Sequence, residues 1–465
     1  MNKCKTYRYR FISRIVIEAI TPLEIGSGNK SILTDALINR DVNGMPFIPG
    51  TTIAGLLRHQ MDKKSANEIM GYQKAENGMG SKLIVTGGKF IDSNGKVIDG
   101  LFDVDNLDDE TRRFLKLPIR QHAKIDHRGV TVNNGKFDEE VIMKGSRFCF
   151  EIEMISDDDK DEEQFKRLIN FVNEDTFRIG GGSRSGFGQI KVRSCKYRKL
   201  DFANIADFDL YLTKSSSLSE EWGGYANCGF EEKSDNKKWI IYKLQLRPEN
   251  FLLFGSGFGN DKADMTFVRE SCIQWKNDNK GEVVDQESVL VIPASSVKGA
   301  ISHRTAYYYN MEKNVFADQI DDIDSYVGKN NEAVQKLFGS EGKNDRDNAD
   351  GKKRGTVLFS DVIQKRHKAF ESKVLNHVAI DRFTGGAING ALFSEETLYA
   401  KAEDAEFDIA VNRDAFNDNF IQEAFENTLV DICKGLLPLG GGVNRGNGCF
   451  NGKLIKDGET IYEQD

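Results

Sequence analysis

The sequence predicts an α+β protein made of two tandem copies of one unit, and three observations predict it. Landmarks recur in the same order in both halves of the 465 residues. Alternating strands and helices with i, i+3, i+4 apolar spacing succeed one another in each half. Each half closes on a Gly-rich turn that leads into a strand. Chance supplies one shared motif easily and an ordered series poorly, so the repeat outranks its parts.

The elements match as follows. "RIVIEAITPLEIGSG" (Arg14 to Gly28) resembles "KLQLRPENFLLFGSG" (Lys243 to Gly257), an alternating strand ending in Gly-Ser-Gly. Seven residues further on stand Asp35 and Asp264, opening "DALINRD" and "DMTFVRE" with Arg40 and Arg269 at one offset. Next comes "PFIPGTTIAGLLRHQ" (Pro46 to Gln60), repeated as "LVIPASSVKGAISHR" (Leu290 to Arg304) after an insertion around "WKNDNKGEVVDQES". "SKLIVTGGKF" pairs with "GTVLFSDVI", and "IDHRGVTVNNGKFDEEVI" with "IDRFTGGAINGALFSEETL". The helices "EEQFKRLINFVNE" and "NDNFIQEAFENTLVDICKGL" follow, then "IGGGSRSGFGQIKV" and "LGGGVNRGNGCFNGKL". A βαββαβ ferredoxin-like unit fits this order and leaves one sheet face for a ligand. The expected domains are residues 1–211 and 238–465, joined by a polar linker at 212–237.

Composition narrows the class. No apolar run approaches the roughly 20 residues of a membrane span. The basic N-terminus leads into a strand, not a signal-peptide core. A cytoplasmic location without membrane contact is expected. Seven scattered cysteines without a CxxC argue against a disulfide framework or a cysteine zinc site. A net charge of −8 counts against nucleic-acid binding by bulk charge, although phosphate binding depends on local patches.

Several residues could carry chemistry. Gly50, Thr51 and Thr52, like Ala294, Ser295 and Ser296, stand where helix N-caps belong. Singly each is a capping turn. As a pair they could hold phosphate at a helix start, helped by Arg58, Lys298 or Arg304. Gly181 and Gly182, with Gly441 and Gly442, allow close backbone approach. Arg184, Arg445 and Lys191 could meet phosphates there. Neither turn is a P-loop or a dinucleotide fingerprint. Asp35 and Asp264 are the sharpest candidates, since a matched carboxylate could place a divalent cation or a 2′-hydroxyl for in-line attack. A single Asp would leave most Mg²⁺ ligands to water and phosphate. His59 and His303 match but fit packed or capping roles, and His122 and His127 have no clear histidine partner in the second half.

At these residues the chain resembles the RAMP superfamily of CRISPR-associated proteins, and more specifically two fused backbone subunits of a type III effector complex. The marks are "IPGTTIAGLLR", "IPASSVKGAISHR", the two Gly-rich turns and "IDRFTGGA". The resemblance implies RRM-like cores stacked along a guide RNA, and thumbs carrying Asp126 and Arg128 in one half and Asp381 and Arg382 in the other. It implies cleavage of complementary target RNA at Asp35 and Asp264 with a divalent metal, Mg²⁺, both residues serving as metal ligands. It also implies partner subunits, including a large polymerase-like one. The chain departs from the pattern in its acidity and in having Ala54 where the second half has Lys298. The rival readings are a non-catalytic RNA-binding scaffold, a metal-independent repeat-processing endoribonuclease using His59 or His303, and an unrelated small-molecule enzyme.

Overall fold

A computed structural model describes residues 7–464 except 33, 75–76, 230–237, 287–288, 341–352, 366–369 and 401–404. The basic runs at 351–355 and 364–368 and the end of the linker fall partly outside the described residues.

The first half is built on one antiparallel sheet. Its strands are β1 (Tyr9–Ala19), β2 (Leu83–Val85), β5 (Arg147–Ser156) and β6 (Ile190–Asp201), with helices α1 (Gly50–Gln60) and α2 (Asp161–Val172). Between β2 and β5 a hairpin projects, β3 (Ile119–Ile125) and β4 (Thr131–Glu140). Helix α3 (Ile205–Leu212) and the short strand β7 (Ala226–Asn227) follow. The sheet runs β7-β6-β1-β5-β2.

The second half repeats the plan with β8 (Trp239–Pro248), α4 (Ala294–Glu312) and β9 (Val357–Phe359). A longer hairpin follows, β10 (Phe370–Ile380) and β11 (Ala387–Ala400). Then come β12 (Ala405–Asn412), α5 (Asn419–Cys433), β13 (Phe450–Lys456) and β14 (Glu459–Glu463). Its sheet runs β9-β12-β8-β13-β14.

Apolar periodicity explains how the layers close. Helix α2 buries Phe165, Leu168, Ile169 and Val172, one face of a 3.6-residue period, and they join Phe11, Ile15 and Ile17 of β1. Helix α5 buries Ile421, Phe425, Leu429 and Ile432 with Leu244 and Leu246 of β8. Each fully buried side chain of this size contributes about 1.5–3 kcal/mol.

Two expectations change on contact with the structure, and a third segment takes on a role that the sequence left open. Helices α1 and α4 begin at Gly50 and Ala294, so Pro49 and Pro293 hold the N-cap positions, and neither proline can cap with its own side chain. Thr51, Thr52, Ser295 and Ser296 lie inside the first turn instead. Proline's fixed φ suits an extended residue feeding a helix, and it leaves the hydroxyls one step too late to cap. Second, the stretch read as a linker is anchored. Arg14 donates to the carbonyl oxygen of Glu220, Lys214 pairs with Glu151 at 2.7 Å, and Leu218 packs with Ile91 and Cys149. It therefore covers the sheet face that the repeat alone would leave open in the first half. In the second half that face keeps a polar row, with Lys243 reaching Glu406.

Third, the insertion around "WKNDNKGEVVDQES" fastens the halves together. It forms a hairpin, Cys272–Trp275 with Gly281–Val284, and its Ile273 and Val283 enter the first half's core. The Trp275 indole N–H donates to Gly145 at 2.7 Å, and the ring lies 3.8 Å from the Arg147 guanidinium.

Candidate functional site

The two aspartates occupy one setting in both halves. Each lies in the loop after the first strand, alongside the returning strand of the inserted hairpin. Ala36 bridges Glu139 in parallel, and Met265 bridges Glu395 in the same way. The bridges bring each Asp against that strand. The Asp35 N–H donates to Asp138 Oδ1 at 2.8 Å, and the Asp138 N–H donates back to Asp35 Oδ2 at 3.1 Å. In the second half the Asp264 N–H donates to Ser394 Oγ at 3.1 Å. The Ser394 N–H and hydroxyl return bonds to Asp264 Oδ2 at 2.7 and 2.8 Å. Both aspartates are exposed. The Ser394 bonds hold the Asp264 carboxyl below its ordinary range. Each clasp uses one carboxylate oxygen, Oδ2, as an acceptor.

The residue after each clasp is a glutamate facing a histidine, half-buried Glu139 in the first half and buried Glu395 in the second. His122 is opposite Phe137 on the hairpin and stacks on it at 4.9 Å; His377 is opposite Phe393 and stacks at 4.8 Å. His377 Nε2 lies 3.0 Å from Glu395 Oε1, and His122 Nε2 lies 4.0 Å from Glu139 Oε2. His122 therefore does have a counterpart, His377. The next glutamates, Glu140 and Glu396, pair with Arg40 and Arg269 at 2.5 and 2.6 Å. The repeated Phe-x-Glu-Glu in "KFDEEVI" and "LFSEETL" was the available signal for these residues.

The halves diverge at this glutamate. Glu395 is tied to the Gly-rich turn by Arg445 at 2.7 Å. Glu139 instead meets the Glu24 carboxyl. Burial and then Glu24 push Glu139 up to about 7, while burial and then Arg120 push His122 down to about 4. The first-half glutamate thus meets a second carboxyl, whereas that of the second half meets a guanidinium.

The other expected residues are spread across the molecule. Arg58 is tied to the Gly71 carbonyl and Asn67, 3.0 and 2.7 Å away, and Arg304 to Asp431 at 2.7 Å. His59 is exposed in the last turn of α1 and His303 is half-buried on α4. Lys191 is exposed on β6. Gly181 and Gly182 pack over the Glu24 carboxylate, and Gly441 N–H donates to Leu253 at 2.6 Å. The hairpin tips use their acids as turn acceptors. Asp126 takes the Arg128 guanidinium at 2.8 Å and is pushed down to about 2 by it; Asp381 accepts from the N–H groups of Phe383 and Thr384. Arg382 is exposed beside it.

The first Gly-rich turn docks on the second half's helix start. Gly186 bridges Ser360 and accepts from the Asp361 N–H. Arg184 donates to the Gly355 carbonyl, and Lys298 reaches Ser185 at 3.3 Å. Burial, then Arg184, lowers the Lys298 ammonium. Asp361 accepts the Ala294 N–H at 2.8 Å, so a carboxylate already occupies the α4 N-terminus. Ile48 faces Gly88 as Ile292 faces Val362, which puts Gly87 at the place of Asp361 and leaves α1 without that acid. The second Gly-rich turn is open, with Arg445 and Gly446 exposed.

Among the described residues no group of three His, Cys, Asp or Glu side chains could enclose a metal ion. The donor set suits a hard cation that takes one or two carboxylate oxygens and completes its shell with water and phosphate.

Comparison with known proteins settles the family. The RAMP superfamily model matches residues 16–191 and 228–451, one match in each half. The chain belongs to the RAMP superfamily. A CRISPR system Cms endoribonuclease Csm3 from Methanocaldococcus jannaschii is 28% identical over 208 residues, covering 39% of this RAMP chain and 80% of that protein. One relative thus matches about the extent of one half. Among the described residues no helix is long and apolar enough to cross a membrane.

Proposed function

We propose that this RAMP protein is a double backbone subunit of a type III CRISPR effector complex, binding guide RNA and cutting complementary target RNA at Asp35 and Asp264. One observation carries the reading: an exposed aspartate, clasped by the returning strand of an inserted hairpin, occurs in the same setting in both halves. The relative named an endoribonuclease supports the activity. Two units of one chain then supply neighbouring RRM-like, ferredoxin-like domains. The strand order fourth-first-third-second in each sheet supports that topology.

The clasp fixes where each carboxylate sits relative to its hairpin. A target strand bent at the hairpin would bring one phosphate to one aspartate. The free oxygen, Oδ1, is then placed to orient a 2′-hydroxyl or ligate Mg²⁺. A bound Mg²⁺ would neutralise charge developing on the phosphate. Guide phosphates would run over the helix start at Gly50, Thr51 and Thr52 and the open turn at Gly441, Gly442 and Arg445. Asp126, Arg128, Asp381 and Arg382 at the hairpin tips would face the duplex. Ser295, Ser296, Lys298, Gly181, Gly182 and Arg184 lie at or beside the junction, so any RNA role there is shared with holding the halves together. Partner subunits, a large polymerase-like one among them, and a cytoplasmic setting complete the proposal.

The test is cleavage and binding of labelled complementary RNA by the assembled complex, using wild type and the Asp35→Ala/Asp264→Ala double variant with Mg²⁺ or EDTA. The reading requires loss of cleavage in the variant and in EDTA, with binding retained. Undiminished cleavage by the variant would make the chain a scaffold. Metal-independent cutting of free precursor RNA would make it a repeat-processing enzyme.

A further inference from the structure

Six cysteines lie among the described residues, and two of them face each other. Strand β7 pairs antiparallel with β6, Ala226 opposite Tyr197 and Asn227 opposite Lys196. One step further the Cys228 N–H donates to the Cys195 carbonyl at 2.9 Å. Directly opposite, hydrogen-bonded residues of an antiparallel pair have Cα atoms about 5.5 Å apart and side chains on one face. Disulfides need about 4.4–6.8 Å. Cys195 is buried in the first core, its Sγ 3.3 Å from Ser13 Oγ, and Cys228 packs partly buried against the same core.

We propose that Cys195 and Cys228 are a reversible oxidation site, a dithiol that peroxide converts to a disulfide fastening the inter-half segment to the edge of the first sheet. Cys228 is the more exposed sulfur and the attacking one. Its thiol is held down to about 7, by Cys195 first and then by Lys166, which favours the thiolate that reacts. The thiolate attacks one peroxide oxygen, the O–O bond breaks, and hydroxide leaves as a sulfenic acid forms. Cys195 sulfur then displaces the sulfenic oxygen as water, after giving up its proton, and the S–S bond closes. Two thiols lose two electrons and two protons, and one peroxide becomes two waters. A small thiol reductant reverses the step by exchange.

Strand β7 immediately precedes the passage into the second half, so the bond would pin the point where the chain leaves the first sheet. Cys149 instead packs with Leu218, and Cys433 is buried in the second core.

The experiment treats the full-length chain with hydrogen peroxide, alkylates remaining thiols, and maps peptides without reduction. The expected result is a Cys195–Cys228 crosslink lighter by two hydrogens, absent in Cys228→Ser, present in Cys149→Ser, and reversed by dithiothreitol. Hydrogen exchange at residues 226–228 should slow by roughly tenfold or more in the oxidised chain. Cys228 recovered only as sulfinic acid, a crosslink to another cysteine, or a crosslink with unchanged exchange at 226–228 would each overturn the proposal.

Discussion

Arg120 should be the residue on which contact between the two halves most depends. It leaves the base of the first hairpin and meets two carboxylates of the second half, Glu270 at 2.5 Å and Asp361. The three side chains are 2%, 5% and 0% exposed, and the guanidinium also lies 4.7 Å from the Phe187 ring. Arg120→Met keeps a chain of similar length and removes the charge, leaving two buried acids without their cation. Removing one partner of a buried ion pair costs about 3–5 kcal/mol. Two acids share this cation, so the upper part of that range is expected near pH 7.5. Asp361 keeps the Ala294 N–H, which limits the loss. The penalty should shrink on acidification, because unpaired buried carboxylates have raised pKa values and take up protons as pH falls. Urea unfolding followed by tryptophan fluorescence, at pH 7.5 and pH 5, measures both effects. The triple variant Arg120→Met/Glu270→Gln/Asp361→Asn should recover most of the loss. A loss below about 1 kcal/mol, or one identical at both pH values, would refute this account of the junction.

Other outcomes follow from the same geometry. Glu139 is raised from 4.5 to about 7, so the folded chain holds a proton that the unfolded chain has released. Stability from this group therefore falls as pH rises from about 4.5 to about 7, and Glu139→Gln should flatten that part of a Tm-versus-pH curve; an unchanged slope would contradict the Glu24–Glu139 pairing. Gly186→Ala should weaken the junction strongly, since its Cβ would meet Asp361 Oδ1 at a φ of +120°, while Gly446→Ala, with nothing nearby at +89°, should cost only about 1–2 kcal/mol. Equal losses in denaturant melts would show that the first turn does not dock as described. Ser394→Ala removes the hydroxyl bond to Asp264 and should lower only the second-half cut, by about tenfold, measured as a single-turnover rate; equal slowing of both cuts would assign it a general structural role.

The repeat was legible because it rests on local signals: alternating strands, Gly-rich turns and helices whose apolar faces stay on one side. The paired aspartates followed from the repeat. What escaped was non-local. His377 sits on a hairpin arm whose length differs from its first-half counterpart, so motif order gave it no partner, and only the strand register aligns it with His122. The covering of the first sheet by residues 214–225 depends on Arg14 and Glu151, ordinary charged positions in a strand pattern. The insertion carrying Trp275 is visible in the sequence only as an interruption of the repeat, yet Ile273 and Val283 are enough to seat it in the other half's core. The proline-led helix starts misled because hydroxyl residues after Pro-Gly or Pro-Ala look like N-cap residues without occupying the cap.

The measurement that tests the central claim most directly is the mapping of cut positions on a complementary RNA with complexes carrying Asp35→Ala or Asp264→Ala singly. The account predicts that each variant abolishes a different cut and leaves the other in place. The same cut pattern from wild type and both variants would contradict it.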